Sequence, residues 1–296
     1  MKASPILLVL SLAACGSLMA AAQDATPTVP QVLQITREYI KAGKNGMPHD
    51  KTEGAYVAAL ARAKWPTHYI ALNSLSGKSR ALFLTSYPSF DAWEKDTAAQ
   101  AKNAALSAEL DRANVADGEL LDSVDQAVCT YNAELSYHPK ADISQARFME
   151  VSVYHVRPGH DRDFHEVVKM VIDGHKKAGT GAHWATFDMN YGRPSGDYLV
   201  LSSRHSMSEI DTGFAEGKKF TDAMGEDGMK KLDELAGASI ETSDHELFSV
   251  NPRQSYVDES WAKADPDFWK PKSTAPKAEA AAAKPAASAT PKPVSR

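Results

Sequence analysis

The stretch Phe148–Ala178, FMEVSVYHVRPGHDRDFHEVVKMVIDGHKKA, decides the fold. Met149, Val151, Val153 and His155 alternate with Glu150, Ser152 and Tyr154, the period of two of a strand whose faces meet different surroundings. Pro158-Gly159 supplies a fixed φ and then a position that tolerates positive φ, which suits a turn, and Asp161 or Asp163 can cap the helix that follows. Phe164, Val168, Val171 and His175 recur at steps of three and four, with Val167 and Ile172 beside them, so the helix carries an apolar stripe that must lie on a sheet. The unit reads strand, turn, helix.

The rest of the chain echoes it. Val32–Gly43 can be laid on Phe148–Gly159 so that Ile35 meets Val151 and Gly43 meets Gly159. Tyr56, Val57, Leu60 and Ala61 repeat the stripe spacing of Val167, Val168, Val171 and Ile172. His68–Leu72 matches His183–Phe187 as a strand, and hairpin signals at 76–78 and 192–196 lead into Leu82–Ser86 and Tyr198–Ser202. Ser89 and Ser206 can start second helices, and Glu134-Leu135 and Glu246-Leu247 stand in closing strands. The order β-α-β-β-α-β, the ferredoxin-like arrangement, is thus predicted twice, over residues 31–140 and 145–257. Each such sheet leaves one face bare, and the join at 139–145 is short, so the α+β fold expected is two tandem units packed sheet to sheet in one fused barrel. Gln34, Thr36 and Glu38, with Glu150, Ser152 and Tyr154, are expected to form a hydrogen-bonded layer inside it.

The flanks have their own character. Met1-Lys2, the apolar run ILLVLSLAAC and the small residues to Ala22 read as a secretory signal peptide over 1–22, too short for a comfortable membrane span. Two cleavage readings compete: a lipobox ending at Cys15, which would then carry a lipid, or an ordinary site after Ala22. Either predicts an exported, periplasmic or envelope protein. Only Cys15 and Cys129 are present, which leaves no intramolecular disulfide once Cys15 is removed or lipidated. Trp261, Phe268 and Trp269 are too apolar to leave in water, so 258–271 is expected to dock on the body. From Lys272 to Arg296 the chain is nearly all Ala, Pro, Lys, Ser and Thr, a composition that predicts disorder; its basic balance is read first as a solvated tail and second as a contact for an anionic envelope polymer. A net charge of −5 with scattered Lys and Arg argues against nucleic acid as a partner.

Tyr154-His155-Val156-Arg157-Pro158-Gly159-His160 followed by Phe164 resembles the opening of the dimeric α/β barrel proteins, the superfamily that includes antibiotic-biosynthesis monooxygenase-like and NIPSNAP-like domains. The resemblance is clearer in the second half; in the first, Ala42 stands where Pro158 would and the turn is longer. It implies that the chain pairs two ferredoxin-like units internally, as a pseudo-dimer. Superfamily functions range over cofactor-free oxygenases, haem-handling proteins and isomerases, so fold alone selects no chemistry.

The histidines are lopsided, with seven between 155 and 245 against His49, His68 and His138 before them. The topology is expected to bring His175, His183 and His205 to one end of the second unit with Trp184 and Arg204, and His155, His160, His165 and His245 toward the other. There is no HExxH and no paired CxxC, and no close His/Asp ligand spacing is expected on one helix face, so no metal ligands are named. Nucleotide and serine-hydrolase motifs are also lacking. A pocket is expected between sheet and helices of the second unit, lined by Val153, His155, Phe187, Met189, Val168 and Val171, with His175, His183, Trp184, Arg204 and His205 as further contacts. The resulting expectation is an exported binder of a small apolar or aromatic molecule. The alternatives are a cofactor-free monooxygenase or haem-linked enzyme, and a non-catalytic envelope protein acting through a Cys15 lipid or the tail. No motif requires a cofactor; haem is the one left open.

Overall fold

A computed structural model describes residues 29–270; the N-terminal run with Cys15 and the tail from 271 lie outside the described residues. The elements run β1 (Val32–Ile40), α1 (Met47–Ala63), β2 (Tyr69–Ser74), β3 (Arg80–Tyr87), α2 (Phe90–Lys102), α3 (Ala104–Gly118) and β4 (Leu121–Tyr137). They continue as β5 (Phe148–Val156), α4 (Asp161–Ala178), β6 (Trp184–Tyr191), β7 (Asp197–Arg204), α5 (Met207–Ser239), β8 (Ile240–Val250), α6 (Glu259–Ala264) and α7 (Pro266–Trp269).

All eight strands close one antiparallel barrel in the order β1-β3-β2-β8-β5-β7-β6-β4. Each half therefore has its fourth strand beside its first, then its third, then its second. Closure abolishes the sheet edges that would otherwise template association. Two seams do it: β2 pairs with β8, where Leu72 faces Val250, and β4 pairs with β6, where Tyr131 faces Phe187. At 17 residues β4 is long enough to hold β1 along its first part and β6 along its second.

Alternation sets which side chains enter the barrel. Leu33, Ile35, Met149, Val151, Phe187 and Phe248 belong to one buried cluster inside it, together with facing residues from the other strands. The polar layer foreseen from Gln34, Thr36, Glu150 and Ser152 is not there, because these residues share strands with the apolar set and project to the opposite face. Glu150 meets Arg204 and Ser152 meets His245 on that outer side. The interior does turn polar at one end, through other residues: Arg37 pairs with Asp125, Arg80 with Glu246, and His155 with Asp197.

Helices cover the outer face. Phe164 and Val168 of α4 pack with Tyr154, Val156, Tyr198 and Leu135. Gly174 lets α4 and α5 approach closely, since a Cβ there would fall 2.5 Å from the ring of Phe220. The second helix of each half is interrupted: α2 stops at Asn103, whose side chain caps α3, and α5 kinks at Gly225 with φ of 71°. Beyond β8, α6 and α7 turn back over one end of the barrel, where Ala262 and Trp269 join its core. No helix among the described residues is long and apolar enough to cross a membrane.

Candidate functional site

Close-packed interiors hold few voids larger than a water molecule, so a large cavity in the barrel marks a site. One of about 300 Å³ lies at the end roofed by the C-terminal helices. Its walls are apolar and come from both halves, with Leu33, Ile70 and Leu84 opposite Met149, Phe187 and Leu201, and Trp261 above. Its polar groups are few: Ser86, Lys140, His183 and Ser203. A cleft of about 630 Å³ adjoins it outside the barrel, between β7 and α5, and shares Lys140, His183, Trp184 and Ser203 with the cavity.

The placement expected from sequence is thereby corrected. The space between the second-half sheet and α4 is filled by Leu135, Val156, Phe164 and Tyr198, so Val168 and Val171 line no pocket there. Phe187, His183 and Trp184 line the barrel cavity; His175, Arg204 and His205 line the cleft. His155 stands apart at the polar end of the barrel, its Nδ1 2.7 Å from Asp197. It lies on the face of β5 that carries Val151 and Val153, but several residues farther along the barrel axis than Met149, which is the β5 residue at the cavity.

Each imidazole has a distinct setting. His183 is tied to backbone through Nε2, which donates to the Ser203 carbonyl oxygen at 2.8 Å, while Nδ1 lies 3.3 Å from the Gly181 carbonyl oxygen. His175 bonds Thr180 at 2.8 Å and packs among Tyr137, Trp184 and Phe220. Burial lowers its pKa, with Glu216 pulling the other way, so it is neutral at neutral pH. His205 is mostly exposed beside Glu209. Arg204 donates to Glu150 at 2.6 Å and reaches within 3.5 Å of His183. The Trp184 indole donates to the Leu135 carbonyl oxygen at 2.8 Å, which fixes that wall.

Haem does not fit the barrel cavity. An apolar cavity of about 150 Å³ takes one benzene ring, so 300 Å³ suits about two rings and not a tetrapyrrole. His183, the imidazole that lines the cavity, is held against the wall by its Nε2–H bond to the Ser203 carbonyl oxygen. Cys129, inside the barrel core, offers no thiolate, since burial pushes its pKa up to about 12.

A second constellation escaped the sequence reading, which named no metal ligands. Glu38, His49, Glu53 and Asp117 converge in the first half, all buried. His49 and Glu53 stand four apart on α1, one face of one helix, and that spacing was the available signal. Asp117 and Glu38 come from distant parts of the chain and carry no local pattern.

No family model matches the chain, and no curated protein matches it in sequence. Solved structures do. A monooxygenase-like protein from Fusobacterium nucleatum superposes with a TM-score of 0.50 at 15% identity, over 75% of this chain and 92% of that one. An anthrone oxidase-like protein gives 0.47 at 10% identity, over 75% and 92% of the two chains. A haem-binding protein from Thermus thermophilus gives 0.42 at 12%, over 81% and 98%. At such identities the likeness is one of fold: with its closed antiparallel barrel of eight strands, this chain has the fold of the dimeric α/β barrel proteins.

Proposed function

We propose that the chain is a binding protein for a small, largely apolar molecule of about two rings, held in the barrel cavity. The observation that carries this is the apolar cavity of about 300 Å³ in the barrel, with polar groups confined to His183, Ser203, Ser86 and Lys140. Apolar walls supply affinity and the few polar groups orient one hydroxyl, carbonyl or carboxylate of the ligand. We read the barrel as two tandem ferredoxin-like units, 31–140 and 145–257, sharing one interior, because the strand order of each half is the same. The cavity is then the product of their fusion, with walls from both.

The oxygenase reading asks for a free base beside the ligand. His183 is anchored to the wall instead, its Nε2–H given to the Ser203 carbonyl oxygen at 2.8 Å, which suits a fixed group that orients a ligand. Titration with 2-naphthol, followed by its fluorescence, tests the binding reading. Saturable binding is expected, and Ala185→Phe, which fills the cavity from its wall, is expected to abolish it while keeping the melting temperature. Binding that survives the filled cavity overturns the proposal, and oxygen uptake on adding a phenol or anthrone moves the protein to the oxygenase class.

Export belongs to the same reading. The layout of the first 22 residues, that of a secretory signal, supports a ligand met outside the cytoplasm. Protein recovered from the periplasm and starting at Gln23, or a lipid-modified Cys15, is the expected outcome of N-terminal analysis; an unprocessed cytoplasmic chain sinks it.

A further inference from the structure

The cluster in the first half has nothing to do with the barrel cavity. Glu38 projects from the outer face of β1, His49 and Glu53 from α1, and Asp117 from the end of α3. His49 is 0% exposed, Asp117 1%, Glu53 3% and Glu38 9%. Among the described residues none of the three carboxyl groups pairs with Lys or Arg; their one basic neighbour is His49. Buried acids stay ionised when they are paired or when they coordinate a metal. Three buried carboxyl groups around one imidazole are short of a cation.

A second observation points into the same spot. Glu53 Oε1 has no hydrogen-bond partner, although it is buried and lies 4.0 Å from His49 Nε2. An orphaned buried acceptor is costly, and here it faces the other candidate donors. The spacings also fit. One atom from each of the four residues lies within 4.8 Å of all the others, and His49 Nε2 is 3.0 Å from Glu38, 3.6 Å from Asp117 and 4.0 Å from Glu53. Four ligands about 2.1 Å from a tetrahedral ion stand about 3.4 Å apart. The measured edges bracket that value.

We propose that Glu38, His49, Glu53 and Asp117 form a structural site for a divalent transition-metal ion, with Zn²⁺ the first expectation. The donor set of one imidazole nitrogen and three carboxylate oxygens suits Zn²⁺ or Mn²⁺. Four protein ligands with no open position make a closed, structural centre and not a catalytic one. The surroundings support the ligands: Thr52 donates to Asp117 at 2.5 Å, and Gln254 lies 3.0 Å from His49 Nδ1. Gln254 presents its amide nitrogen there and shares it with Asp50 Oδ1 at 3.0 Å, so His49 carries its proton on Nε2, toward Glu38. Metal binding at Nε2 would displace that proton. The ion would staple β1, α1 and α3 to the segment after β8 that carries Gln254.

Metal analysis of the full chain, purified without chelator, is expected to give one equivalent of a divalent transition metal. Stripping with a chelator should lower the melting temperature by several degrees, and Zn²⁺ or Mn²⁺ should restore it where Mg²⁺ does not. Co²⁺ loading should give the intense visible bands of a four-coordinate ion. Glu53→Gln keeps the shape and should remove the thermal response to metal. His49→Gln provides a second reading if that variant folds poorly. Absence of bound metal together with no thermal response of the stripped wild type to Zn²⁺ or Mn²⁺ overturns the proposal, and so does an undiminished response in Glu53→Gln. The 2-naphthol result stands or falls separately.

Discussion

The indole N–H of Trp269 donates to the carbonyl oxygen of Ser144 across 2.9 Å, tying the end of α7 to the join between the two halves. Trp269 is 5% exposed, Arg147 just before β5 lies 3.7 Å over the ring of Phe268, and Arg147 pairs with Asp265. Trp261 of the same segment roofs the cavity. The segment after β8 thus closes the apolar end of the barrel.

Trp269→Ala should therefore cost about 3–5 kcal/mol, the usual range for deleting a buried aromatic, and should open the roof. Denaturant unfolding measures the first effect. Stopped-flow release of 2-naphthol measures the second, with faster dissociation expected; a release rate equal to that of the wild type would show that the roof does not gate the cavity.

The two seams make a separate prediction. Leu72 faces Val250 across one and Tyr131 faces Phe187 across the other, and both halves contribute to one core. Residues 29–257 should unfold in one cooperative transition. Separate expression of 29–140 and 145–257 should give fragments that self-associate, since each exposes an apolar sheet face and two unpaired edges. Two monomeric, well-folded fragments on size exclusion would refute the shared core.

The period of two at 149–155 and the three-four stripe at 164–175 were enough to read both βα units and their order, because local periodicity reports which side is buried. It does not report what covers each side. Gln34 and Glu150 were assigned to the barrel interior for want of any sign that Leu33 and Met149, their neighbours, would face inward instead. The apolar cavity was placed under α4 for the same reason. Its walls, such as Leu84 and Leu201, come from strands far apart in sequence, and only closure of the barrel brings them together. The histidine surplus drew attention to His175, His183 and His205, while His49, buried at 0% exposure beside three carboxylates, went unnoticed because its partners are 11 and 68 residues away as well as on its own helix.

The buried setting of His175 has a pH consequence. Desolvation holds its folded-state pKa below the ordinary 6.5, with Glu216 opposing, so the unfolded chain takes up a proton that the native state resists. Stability should accordingly be full above about pH 6.5 and fall as pH drops below it. His68, also lowered by burial, acts in the same direction. His175→Gln should flatten the dependence of the melting temperature on pH below about 6.5, and the double change with His68→Gln should flatten it further. An unchanged slope in the double variant would mean that other groups set the acid side.

His183 and His205 are the sharpest pair for testing the site. They come from the same end of the second half and both line the cleft, but His183 alone of the two also reaches the barrel cavity. His183 gives its Nε2–H to the Ser203 carbonyl, and its loss leaves that part-buried acceptor unpaired at a cost of about 1–3 kcal/mol. His183→Ala should lower stability by that amount and weaken 2-naphthol about tenfold, a change worth about 1.4 kcal/mol. His205 has a side chain 64% exposed and pairs only across the surface with Glu209, so His205→Ala should move stability by less than about 0.5 kcal/mol and leave binding as it is. The comparison separates cavity from cleft. If His205→Ala weakens the ligand and His183→Ala does not, the molecule sits outside the barrel, between β7 and α5, and the apolar void is not its site.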